Sequence, residues 1–327
     1  MVRFAVVMYC SALVAIHAVS ACSQTSSAGS VSIYPVKPIR ILTTGVGGAT
    51  DFASRLIAQG LTESMGQQVI VDNRASAAIT GDVVAKSPRD GYTLLMMSAS
   101  LWISPLLQDT SYDPVRDFSP INLVATSPTI LVVHPSMPVK SVRELIVLAK
   151  SRSGKMNYAA AQIGSTNHLA GELFKSMARV NIVAVPYKGS ALALNALLTG
   201  EVQLSFAPAG SVTGQLKSGR LKALAVTSAQ PSVFFPGMPT VASSGVPGYE
   251  AESTYGVFAP AQTLAAIVNR LNQEIARFLV APGVKEKFFG AGQEVVGSGP
   301  EQLGAKVKAE IIRLGKVIKD AGIREKP

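Results

Sequence analysis

The chain has 327 residues, 48% apolar and 15% charged, with a formal net charge of +10. That length suits two lobes of ordinary domain size. Aromatics at 6% and Lys and Arg spread singly along the chain argue against a nucleic-acid surface; three histidines and two cysteines are too few for a metal cluster.

Arg3 precedes an apolar run over 4–19 that ends in Val19-Ser20-Ala21-Cys22. A charged start, an apolar core and small residues before a cut make 1–21 a secretory signal peptide. The run is too short for a comfortable bilayer span, and no later run is long enough. A cysteine directly after Val-Ser-Ala is also the bacterial lipoprotein pattern, in which Cys22 is acylated and becomes the new N-terminus; ordinary cleavage after Ala21 is the alternative. Removal of Cys10 with the signal leaves no disulfide in the mature monomer, so core packing must supply stability. The polar stretch that follows makes 22–33 a flexible tether.

Strands and helices then alternate. Residues 38–43 form a strand candidate and Gly45-Val46-Gly47-Gly48 a turn, with Thr50 or Asp51 capping a helix that ends at Gly66. Strands are predicted at 69–71 and 92–97. A middle section begins at a strand over 129–133, followed by a helix opened by the capping-box pattern Ser141-Val142-Arg143-Glu144. Gly164-Ser165 starts the next helix; 182–185, 202–206 and 221–226 are strands, with a helix over 191–198. Residues 256–260 return to the first lobe, and two long amphipathic helices close the chain. Short apolar runs between helices are the mark of sheets covered on both faces. The fold class is α/β in two lobes, each a mostly parallel sheet flanked by helices: 34–125 with 250–327, and 126–249. Two crossings between lobes make a hinged cleft. Ligands of open α/β sheets sit beyond the carboxyl ends of strands, which selects the loops at 44–50, 98–104, 161–166 and 187–190.

The loop Gly45-Val46-Gly47-Gly48-Ala49-Thr50-Asp51 lets backbone N–H groups approach an anion at a helix start. It lacks the third glycine of G-x-G-x-x-G and is followed by no Gly-Lys-Ser/Thr, so it is not a nucleotide loop. A tight turn with a cap and a carboxylate site are evenly matched readings of it. Gly164-Ser165-Thr166 is a second such loop, in which capping and carboxylate binding use different atoms and are compatible. His168 reads as a packing or helix-surface residue, because no G-x-S-x-G elbow or acid/base partner accompanies it. No catalytic residues are assigned, and an exported hydrolase is the weakest reading. Tyr187 can wall a cleft, whereas Lys188 reads as a solvated charge.

Tyr34-Pro35, Lys37-Pro38-Ile39-Arg40, Gly47-Gly48-Ala49-Thr50-Asp51 with Arg55, Asp90-Gly91-Tyr92, Gly164-Ser165 with His168-Leu169-Ala170-Gly171-Glu172, and Val185-Pro186-Tyr187-Lys188-Gly189 follow one another in an order that resembles the substrate-binding receptors of tripartite tricarboxylate transporters, the Bug family. The resemblance runs from Tyr34 to Gly322. It implies a periplasmic, monomeric, two-lobed receptor of the type II binding-protein fold, without cofactor or metal. Such a receptor closes on a small organic anion and delivers it to membrane permease subunits; handing the bound state to a membrane sensor is the alternative. Carried over, the ligand contacts are Gly47, Gly48, Ala49, Thr50, Asp51, Gly164, Ser165 and Thr166, with Ser98, Tyr187 and Ala207 as walls. The chain departs from the family pattern at 43–46, at 75–80 and at Gln203, changes expected to touch the cleft or its surroundings. Tethering through an acylated Cys22 is compatible with this role.

Overall fold

The computed structural model describes residues 34–161 and 164–323; the predicted signal peptide, the tether and Cys22 lie outside the described residues. The first sheet begins with an alternation of strand and helix: β1 (Ile39–Thr44), α1 (Ala49–Met65), β2 (Val69–Arg74), α2 (Ala77–Ala85), β3 (Thr93–Ser98) and α3 (Ser100–Leu107). Then comes β4 (Phe118–Val133), a strand of 16 residues that belongs to both sheets. The second sheet is built from α4 (Val142–Ser151), β5 (Asn157–Ala160), α5 (Thr166–Ala178), β6 (Val183–Pro186), α6 (Ser190–Leu198), β7 (Leu204–Pro208), α7 (Ala209–Lys217) and β8 (Lys222–Val226). The chain returns through β9 (Glu252–Pro260), then α8 (Ala265–Leu279), α9 (Val284–Gly290), β10 (Glu294–Ser298) and α10 (Pro300–Asp320).

Each sheet has the expected parallel part, β2-β1-β3 in the first and β7-β5-β6 in the second. Each also has an antiparallel part made by the crossing strands: β9 pairs with β3 and β4, β10 with β4, and both β7 and β8 with β4. The sheets are therefore mixed, joined where β4 leaves β9 at Pro128 and meets β7 at Thr129.

The strands are apolar on both faces because both faces are covered. Ile39 and Ile41 point into the core under α1 and α8, and Leu42 into the core under α3 and α10. In the second sheet Leu131 and Val133 alternate in the same way with Ile130 and Val132, as the period of two requires. Helix α10 touches both lobes: Leu303, Val307 and Leu314 join the first sheet's core, and Val317 joins the second's.

Two expectations are corrected. The strand placed at 129–133 starts at Phe118; Pro120, Asn122 and register shifts against β9 hide its earlier half. Residues 100–104 are not loop but the start of α3, disguised by Pro105 in its last turn. The departure at 75–80 lies at the start of α2, with Ser76 accepting the Ile79 amide. The local patterns gave no sign of α2, α3, β5, α7, α9 and β10, which are short or carry Gly or Pro. The capping box holds: Ser141 Oγ accepts from the Glu144 amide at 3.2 Å, and Glu144 accepts from the Lys140 amide at 2.7 Å. Ser141→Ala is expected to lower stability by about 1 kcal/mol, measurable by urea denaturation; an unchanged midpoint would show that the cap contributes nothing.

Candidate functional site

The carboxyl ends of β1, β3, β5 and β6 carry the predicted loops. After β1 the chain turns through Gly45 and Gly47, both left-handed at φ 61° and 75°. The Gly48 amide bonds back to the Gly45 carbonyl at 2.9 Å. The N-cap of α1 is Gly48, and no side chain caps the helix. Thr50 and Asp51, expected as caps, lie inside its first turn. A helix start leaves its first amides without intrahelical acceptors, so Ala49 and Thr50 present exposed or half-exposed donors beside a partial positive charge.

Asp51 does something different from what its motif position suggested. It is 4% exposed. Oδ2 accepts from the Gly47 amide at 2.9 Å and from Arg55 Nε at 3.1 Å, while Oδ1 accepts from Asn73 Nδ2 at 2.9 Å. Burial alone raises its carboxyl, but hydrogen bonds from Arg55, Gly47 and Asn73 outweigh that and hold it below the usual carboxylate range. Its oxygens face the loop's own donors, so Asp51 shapes the loop rather than offering a group to an anion.

The second loop follows β5. Gly164 is left-handed at φ 79°, and Ser165 is the N-cap of α5, accepting from the His168 amide at 3.4 Å. Ser165 Oγ also donates to Asn167 Oδ1 at 2.6 Å. Thr166 is the first helical residue. His168 is 5% exposed and accepts the Gly164 amide at Nδ1, 3.1 Å away. It is therefore the packing residue the sequence suggested, with one polar bond in addition.

The wall candidates are less uniform. Ser98 is half-buried and shares a 3.0 Å hydrogen bond with Ser100. Tyr187 is half-buried, but its hydroxyl donates to Glu201 at 2.8 Å; burial and Glu201 push it up to about 12. Ala207 is 4% exposed, inside the core under α6 and α7, so its side chain faces that core. Lys188 is exposed. Gln203 stands just before β7 and accepts from the Asn157 amide at 2.7 Å. It is at the opposite end of its strand from Pro208, roughly 16 Å away at strand rise, so that departure lies away from the candidate loops.

Two features had no signal in the sequence. Gln293, between α9 and β10 and 1% exposed, donates to the Ala49 carbonyl at 2.9 Å and so braces the first turn of α1. Around it, Ser127 donates to the Gly292 carbonyl at 2.7 Å, Ser232 bonds Glu294, and the Phe234 and Phe289 rings stack 4.4 Å apart. The same short segment thus touches loop one and the other sheet's connections. The second feature is a charge cluster where α3, α5, α10 and β9 meet. Lys306 Nζ lies 2.6 Å from Glu250, 2.8 Å from Glu252 and 3.6 Å from Glu310. Arg313 pairs with Glu250 at 2.7 Å. Burial raises the Glu310 carboxyl, against Lys306 and the Trp102 indole that donates to it at 2.8 Å. Glu252, Glu310 and Arg313 line a cavity of about 20 Å³ with Ala99 and Thr166, next to Ser98 and Ser165. Arg313, the cation among these lining residues, is already paired with Glu250. Among the described residues no group of His, Cys, Asp and Glu is arranged to hold a metal ion, and no helix is long and apolar enough to cross a membrane.

The model of the tripartite tricarboxylate transporter family receptor matches residues 53–323. Protein BugT of Bordetella pertussis is 35% identical over 303 residues, covering 91% of this chain and 93% of BugT. An R. palustris protein solved with adipate is 39% identical with a TM-score of 0.72, over 89% of this chain and 99% of that one. MatC from Rhodopseudomonas palustris with bound malate is 27% identical with a TM-score of 0.69, over 87% of this chain and all of that one (100%).

Proposed function

The chain belongs to the tripartite tricarboxylate transporter receptor family, and from that premise we propose that it is a periplasmic solute-binding protein that captures a small organic carboxylate between two lobes, 34–125 with 250–327 and 126–249. The observation that carries this is the pairing of like loops from the two sheets, Gly47-Gly48-Ala49-Thr50 and Gly164-Ser165-Thr166. Each is a left-handed glycine followed by a helix start at the carboxyl end of a strand. Adipate in one relative and malate in another support the choice of ligand class. The ligand carboxylate takes the amides of Ala49 and Thr50 on one side and the amide and hydroxyl of Thr166 on the other, and Ser98 and Tyr187 flank it. Delivery to the membrane subunits of a tripartite transporter follows from the family. Closure is a hinge motion at the crossings in β4 and before β9, driven by contacts made only when both loops hold the ligand.

Titration calorimetry and thermal melting with adipate and with malate at neutral pH test this reading. One ligand per chain is expected, with a rise in Tm that grows with ligand concentration. At a hundredfold excess over Kd the stabilisation is about 2.7 kcal/mol. A melting curve unmoved by millimolar mono- and dicarboxylates would overturn the proposal.

A further inference from the structure

The two candidate loops are held by the same bond made with different chemistry. In each, the side chain four residues after the left-handed glycine accepts that glycine's amide: Asp51 Oδ2 for Gly47 at 2.9 Å, His168 Nδ1 for Gly164 at 3.1 Å. In each, the accepting residue is the third of its helix, since α1 starts at Ala49 and α5 at Thr166. A carboxylate of lowered pKa keeps accepting below the usual carboxylate range. An imidazole nitrogen accepts only while it carries no proton.

We infer that His168 is the positioning residue of the second loop, holding Gly164 only as the neutral imidazole, so that acidification frees this loop and weakens capture of the organic anion while the loop held by Asp51 stays in place. This rests on the carboxylate-receptor reading above.

The surroundings favour the neutral ring. The Tyr158 ring of β5 lies nearly parallel to His168, with centroids 6.4 Å apart and planes at 18°. The Tyr158 hydroxyl donates to Glu172 at 2.8 Å and approaches the His168 carbonyl at 3.2 Å. On its own helix the facing charges are Glu172 and Lys175, which pair with each other at 2.7 Å. From β9 and α10, Glu252, Glu310 and Arg313 line a cavity together with Thr166 and Leu169 of the His168 helix. From α3, the apolar Leu107 packs against Gly164. Burial lowers the imidazole pKa most; Glu172 opposes this and Lys175 reinforces it, and the balance is below the ordinary histidine value. The sign follows. The unfolded chain takes up its proton first, at about pH 6.5. The bond's contribution is complete above that pH and is lost as pH falls through the lower folded-state value. The geometry also fixes the tautomer, with Nδ1 accepting and Nε2 carrying the hydrogen.

Nitrogen-15 NMR of the ligand-free protein tests the clamp. The Nε2–H tautomer is expected at neutral pH. The Gly164 amide should shift and lose exchange protection with the midpoint of the His168 titration, while the Gly47 amide stays unmoved over that range. A protonated Nδ1 in the neutral ring, or a Gly164 amide indifferent to the titration, would overturn the inference, and neither result depends on which solute is carried. Adipate affinity over the same pH range is the functional arm. Wild type should weaken at least tenfold through the imidazole midpoint. His168→Asn places a non-titrating oxygen near the position of Nδ1 and should remove the imidazole-dependent part of this weakening, leaving only the dependence that comes from protonation of adipate itself. A wild-type profile with adipate bound that is no steeper than that of His168→Asn would overturn the clamp. Adipate binding at no pH, with Gly164 still titrating, would instead overturn the receptor reading while leaving the clamp standing.

Discussion

Asp51→Ala is expected to weaken carboxylate binding by a hundredfold or more and to lower Tm by about 5–10 °C. The side chain holds the Gly47 amide, the Asn73 amide and the Arg55 guanidinium at 2.9–3.1 Å from a position 4% exposed. Removing one partner of a buried ion pair costs about 3–5 kcal/mol, but the Arg55 side chain is 56% exposed and regains water. The loss is therefore nearer 2–3 kcal/mol, and each kcal/mol moves Tm by about 2–4 °C in a chain of this size. Binding suffers more than stability because the freed glycine turn no longer fixes the direction of the Ala49 and Thr50 amides. Asp51→Asn should fall between, since its oxygen can still take the Gly47 amide while its NH2 meets other donors. The pH dependence has a definite sign. Asp51 has a folded-state pKa below its unfolded value of about 3.9, so its contribution is complete above that pH and is lost as pH falls through the lower folded value. Calorimetry with adipate, and melting with and without it, decide the matter. Wild-type affinity in Asp51→Ala would show that the loop keeps its shape without this residue.

Gly171→Ala is expected to destabilise by about 2 kcal/mol, although alanine is the better helix former by about 1 kcal/mol. A Cβ at this position in α5 would stand 2.3 Å from Cε2 and 2.5 Å from Cζ of Tyr158. Overpacking of this kind costs about 1–3 kcal/mol or more, and here the ring cannot retreat. Tyr158 is fully buried, tied through its hydroxyl to Glu172 at 2.8 Å, and packed edge-on against Phe206 at 6.2 Å. Gly60→Ala is the control. Its Cβ would come within 2.3 Å of Phe278, but that ring is only half-buried and can swing toward solvent, so the helix-propensity gain offsets most of the clash. Urea midpoints of the two variants separate the cases; equal midpoints would mean that the Tyr158 core is softer than its contacts indicate. Because Tyr158 also backs His168, Gly171→Ala should lower ligand affinity as well.

Much of the architecture is legible in the sequence where local chemistry is strong. The apolar runs of β1, β3 and β8 read as strands because both faces of each sheet are covered. The capping box at Ser141 and the cap at Ser165 read as helix starts because a hydroxyl there satisfies an amide that nothing else in the helix can reach. Elements that failed to show were those whose signals conflict: Pro105 inside α3, Gly210 and Gly214 inside α7, and Pro120 in the early half of β4. The site was legible as motifs but not as roles. Asp51 and Thr166 both read as ligand contacts, yet the Asp51 side chain is spent on the loop itself while Thr166 borders the cavity.

The sequence by itself determined the two-sheet α/β plan, the glycine turns at helix starts and the family, because these depend on neighbours within a few residues and on a long ordered series of motifs. Only the tertiary structure decided that Asp51 and His168 face inward to hold glycine amides, that Gln293 reaches Ala49 across 244 residues of chain, and that Gln203 stands at the end of its strand away from the candidate loops. Those facts depend on which buried donor finds which acceptor once the strands have paired, and no local pattern encodes such long-range matches.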